Sequence, residues 1–111
     1  MTSPNKASKH CMIYVTASSR DEALNIAKTL VAEKLVACAN VLAEATSVYR
    51  WQGKVEEAQE IVLIAKTRND LAEAALARIK TLHSYDVPCA VTYDMAAGLP
   101  AYLAWIDQET A

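Results

Sequence analysis

The sequence predicts an α+β fold: a ferredoxin-like β-α-β-β-α-β plait with an extended central hairpin and an extra C-terminal helix. Three observations predict it. Short β-rich runs alternate with two capped amphipathic stretches, and two split β-α-β units with right-handed crossovers place both helices on one sheet face. The run 48–67, VYRWQGKVEEAQEIVLIAKT, holds Gln52-Gly53 between two extended stretches. Gly53 can take the positive φ that a tight hairpin turn demands. Within that run Ile61-Val62-Leu63-Ile64-Ala65 are successive aliphatics, the pattern of a strand covered on both faces. Helices cover one face and leave the other bare, a face that sheet packing against another copy of the chain, or a bound ligand, would cover. The sequence points to assembly before it points to chemistry.

Each element follows from its residues. Residues 9–17, KHCMIYVTA, make the first strand. Ser19 begins the first helix with a capping box, because Glu22 lies three residues on. Ala23, Ala27, Leu30 and Val31 share a helical face, and the helix should fade near Leu35. An Ala-rich strand over 36–42 meets an irregularity at 43–46, then resumes over 47–51 and enters the hairpin. Arg68-Asn69-Asp70 supplies a second cap with Glu73 behind it, and Ala72, Ala75, Leu76, Ile79 and Leu82 form the second helix's buried stripe. Pro88 ends that region, since it cannot donate a ladder hydrogen bond and biases Val87 to extended backbone. A last strand spans 89–95. Pro100 suits the first turn of a final helix over 101–109, with Tyr102, Leu103 and Ile106 inward and Trp105 nearby.

The bulk numbers set limits. At 111 residues the chain reads as one domain at 10–111 behind a polar, disordered tail at 1–9. A hydrophobic fraction of 53% excludes a disordered protein and a disulfide scaffold. A net charge of −2 with scattered acids and bases argues against nucleic acid or an anionic membrane as partner. No apolar run is long enough to span a bilayer. Three cysteines without C-x-x-C pairing fit reduced thiols in the cytoplasm.

The chemistry-bearing residues are few. His83, Asp86 and Cys89 lie within one short stretch and mix borderline and soft ligands that suit copper or zinc. The bland reading makes His83 a helix terminator and Cys89 a small buried hydrophobe. Cys38, between alanines on a strand expected to be central, reads as core, whereas Cys11 opens an outer strand. Lys66 and Arg68 end the long strand and could hold an anion at a cleft between subunits; Glu56, Glu57 and Glu60 read as a solubilising hairpin face. Trp51 and Tyr85 are candidates for that cleft or interface, because a large apolar body ending in one polar atom suits subunit contacts. No Ser-His-Asp or Cys-His set, phosphate loop or paired carboxylate is evident, so a binding protein is expected rather than an enzyme.

Five blocks in order then resemble the CutA divalent-cation-tolerance family: AEKLVACAN at 32–40, YRWQGK at 49–54, IAKT at 64–67, HSYDVP at 83–88 and YLAWI at 102–106. The resemblance covers nearly the whole chain. It implies a tight homotrimer with hairpin strands packing across subunits, a link to copper tolerance, and binding of copper or another divalent metal. It also implies kinship of architecture with the trimeric PII signalling proteins; the alternative function is thus a regulatory module that takes a small anionic molecule or a partner protein between subunits. Members that bind copper use a first-strand cysteine and a pair of histidines. Here Val15 and Leu82 stand at the first-strand and first histidine positions, Ser84 replaces a proline and Cys89 an acid, which leaves His83 alone of the set.

Overall fold

A computed structural model describes residues 9–111. Positions 1–8 of the expected tail lie outside the described residues, and the Lys9 carbonyl already accepts from the Asn69 N–H at 2.9 Å. The elements are β1 (His10–Ala17), α1 (Arg20–Ala32), β2 (Cys38–Trp51), β3 (Lys54–Arg68), a 3₁₀ turn (Asn69–Leu71), α2 (Ala72–Leu82), β4 (Ala90–Asp94) and α3 (Pro100–Glu109). The sheet runs β2-β3-β1-β4, with every pairing antiparallel.

Strand alternation divides the sheet into two unlike faces. On one, Ile13 and Val15 of β1 with Leu63 and Ala65 of β3 join Ile26 and Leu30 of α1 and Ala75 and Ile79 of α2 in a single core. On the other, Met12, Tyr14, Ile64 and Lys66 stay half-buried. This second face is not wholly bare, as the sequence suggested. Tyr102 of α3 sits 3.3 Å from the Cys38 sulfur and 6.0 Å below the Lys66 ammonium, so α3 lies across one end of it. Pro100 starts that helix, Ile106 is its buried anchor, and Trp105 stacks on Tyr102 rather than turning inward.

The helix ends show how local chemistry sets the boundaries. The Ser19 hydroxyl caps α1 by accepting from the Glu22 N–H at 3.1 Å, as expected. Glu22 does not return to Ser19 but to the N–H and hydroxyl of Ser18, each at 2.9 Å. At the other end Leu35 N–H donates to Leu30 and Lys34 N–H to Val31, a Schellman closure. It holds Lys34 at φ 59, a left-handed conformation that glycine adopts at no steric cost. For α2 the expected polar cap is absent: the 3₁₀ turn intervenes, and the cap residue is Leu71, with no side-chain cap bond.

The hairpin turn is of type I′, with Gln52 at φ 50 and Gly53 at φ 81. The expected irregularity is a register shift between Leu42 and Glu44, within one continuous strand. β1 pairs β3 only over Ile61–Arg68, while β2 pairs it to the turn at Trp51↔Lys54. The 54–60 half of the hairpin therefore projects past β1 by about 20 Å. The radius of gyration, 15.2 Å, exceeds the roughly 13 Å of a compact chain this long.

The cysteines reverse three expectations. Cys11 is fully buried, because β1 is an inner strand and not an outer one. Cys38 is half-buried on the edge strand β2 and Cys89 is exposed. Burial, with Asp94 nearby, pushes the Cys11 thiol pKa up.

Candidate functional site

The residues between α2 and β4 are tied to three elements at once. His83 caps α2 through its N–H to Ile79, and its ring turns inward with no exposed side-chain surface. Tyr85 N–H donates to Nδ1 at 3.1 Å, so Nε2 carries the hydrogen and donates to the Thr16 carbonyl at 2.7 Å. Both ring nitrogens are thus used. Glu22 receives the Ser84 N–H at 2.7 Å and binds α1's entrance to this loop. Burial would raise the Glu22 carboxyl, but the hydrogen bonds from Ser84 and Ser18 outweigh it and bring it down to about 2.

Beyond His83 the Tyr85 ring tilts against the imidazole, centroids 4.7 Å apart, and its hydroxyl donates to Glu60 at 2.9 Å. Burial, together with that carboxylate, lifts the Tyr85 phenol to about 12. Glu60 is only 8% exposed, which corrects the reading of it as part of a solubilising face. The loop, the end of β1 and the emerging hairpin enclose a cavity of about 590 Å³. Tyr14, Tyr49, Trp51 and Tyr85 give it aromatic walls; Glu60 and Asp86 give it carboxylates. Thr16, Ser47, Val87 and Cys89 complete the lining.

The sequence-derived candidates separate in space. Asp86 and Cys89 line this cavity, whereas both nitrogens of His83 are committed to backbone beside it. Among the described residues no three of His, Cys, Asp and Glu gather closely enough to hold a metal ion, so one chain presents no closed metal site. Trp51 and Tyr85 share the cavity. Lys66 and Arg68 lie at the opposite end of β3: Lys66 donates to Asn40 at 2.8 Å and Arg68 to the Thr110 carbonyl at 3.4 Å. The four therefore form no common cleft within a chain. Sequence reasoning missed Tyr14 and Glu60. Their signal was register: Tyr14, like Thr16, falls on the second face of β1, and Glu60 is the last acid before the aliphatic run of β3.

Fold and cavity together define a small antiparallel α+β domain with an aromatic-walled cavity at the base of its hairpin, and no helix among the described residues is long and apolar enough to cross a membrane. The family described as CutA1 divalent ion tolerance protein matches residues 11–109. The divalent-cation tolerance protein CutA of Thermus thermophilus is 41% identical over 99 residues, 89% of this chain and 96% of that protein. Its counterpart from Pyrococcus horikoshii is 43% identical over 99 residues, with the same shares. The crystal structure of CutA from Xylella fastidiosa superimposes with a TM-score of 0.91 at 41% identity, covering 94% of this chain and 100% of that one. The chain belongs to the CutA1 divalent ion tolerance family.

Proposed function

We propose that the protein is a homotrimeric binding protein of the cytoplasm that serves the response to divalent cations, each subunit a ferredoxin-like plait. Membership in the divalent ion tolerance family is the observation that carries this reading. Assembly is supported by the projecting hairpin, where Val55 is 67% and Trp51 57% exposed in one chain, large side chains that a partner would remove from water. Three free cysteines support a reducing compartment. Copper or another divalent ion would be held weakly. Asp86 and Cys89 are the accessible ligands, and His83 joins only by giving up its bond to Thr16 or Tyr85.

Anaerobic titration of the reduced protein with Cu(I), Cu(II) and Zn(II) by calorimetry tests this. Saturable binding that Cys89→Ser weakens and His83→Ala weakens further supports the site. Flat traces for all three ions contradict direct metal binding.

A further inference from the structure

We infer that His83 is a positioning residue and not a metal ligand: its imidazole closes the 83–89 loop onto β1 by hydrogen bonds. The β1–β4 ladder ends at Val15↔Ala90. One residue further along β1, the Thr16 N–H donates to the Cys89 carbonyl at 3.4 Å, and the Thr16 carbonyl accepts from Nε2 of His83 at 2.7 Å. Both ends of the loop are therefore fastened to one residue of β1, and the imidazole stands in for a backbone donor. At Nδ1 the Tyr85 N–H, which can only donate, takes the lone pair that a metal ion would need.

This closure is complete within one subunit. The His83 side chain has no exposed surface in its own chain, so a neighbouring copy neither makes nor hides it. The Glu22 carboxylate lies 3.9 Å from Nδ1 but is engaged elsewhere. It accepts the Ser84 N–H at 2.7 Å and the N–H and hydroxyl of Ser18, each at 2.9 Å. Lys80 holds the middle of the loop through the Asp86 carbonyl at 3.2 Å. Recruiting His83 to a metal ion would orphan the Thr16 carbonyl or the Tyr85 N–H beside a buried ring, a loss of about tenfold to a hundredfold in affinity. No other ligands gather to offset that loss, since among the described residues no three of His, Cys, Asp and Glu come close enough to hold an ion. The inference removes His83 from the ligand set of the reading above, and it stands even if the metal titrations are flat.

The test uses isotope-labelled full-length protein and two NMR readouts. First, the imidazole nitrogen signals of His83, assigned by their loss in His83→Gln, are followed as Zn(II) chloride is added to the wild-type chain. Neither should show the large shift of coordination. Second, hydrogen exchange at the Ser84 amide reads opening of the loop. His83→Ala should speed it by about tenfold to a hundredfold. His83→Gln, whose side-chain amide is long enough to donate to the Thr16 carbonyl but is no imidazole, should recover most of that protection. A saturable coordination shift at either nitrogen, Ser84 exchange unchanged in His83→Ala, or exchange in His83→Gln as fast as in His83→Ala would each overturn the inference. The zinc arm uses the unaltered chain and decides the matter even where a variant fails to fold.

Discussion

The two faces of the sheet use the same strands for opposite ends. Toward α1 and α2, Ile13, Val15, Leu63 and Ala65 are fully buried and carry the packing that holds the subunit together. Toward the second face the alternating partners, Tyr14, Glu60, Ile64 and Lys66, are polar, aromatic or only half-covered, and α3 shields only one end. A one-residue step along β1 passes from the closed core to the half-covered face. Substitutions should sort by face, and that sorting is what the following outcomes break or sharpen.

The largest effect belongs to the helix-covered face. Ile13→Ala should cost about 2–5 kcal/mol in urea unfolding, because its cavity opens in a closed core. A loss below about 1 kcal/mol would mean the two faces are not energetically distinct. On the projecting hairpin, Trp51→Ala should leave the subunit's circular dichroism unchanged. It should weaken association by about 2–4 kcal/mol, read from dilution profiles.

Glu22 joins the faces, since it ties α1 to the loop before β4. Its folded carboxyl lies near 2 against an ordinary 4.5, so its contribution is present above 4.5 and lost as pH falls from 4.5 toward 2. Glu22→Gln should therefore flatten the stability profile between about pH 5 and about pH 2 while lowering neutral stability by about 1–2 kcal/mol. An unchanged acid limb would remove Glu22 from that role. The smallest effect is a gain: Lys34→Gly should add about 1 kcal/mol or less, by relieving the left-handed residue that closes α1. Destabilisation there would show that the Lys34 side chain matters more than its backbone.

Much of the fold was legible because its signals are local. The Gln52-Gly53 turn, the Ser19 cap, the Pro100 start and the stripe through Ala75 and Ile79 each depend on a few neighbouring residues. What failed was strand order. Reading β1 as outer and β2 as central misplaced Cys11 and Cys38, because chain neighbours do not say which strand receives pairing on both edges. The site was less legible for the same reason. His83 and Tyr85 stood out by residue type, but their partners, Thr16 and Glu60, come from β1 and β3. Nor does the sequence show that both imidazole nitrogens are engaged, which needs the loop geometry itself.

The central claim is that the hairpin and the uncovered part of the second face are where copies of this chain meet. Sedimentation equilibrium of the full-length protein at micromolar concentration tests it most directly. The account predicts a single species of three chains that Trp51→Ala shifts toward the monomer. A monomer across the whole concentration range would contradict it.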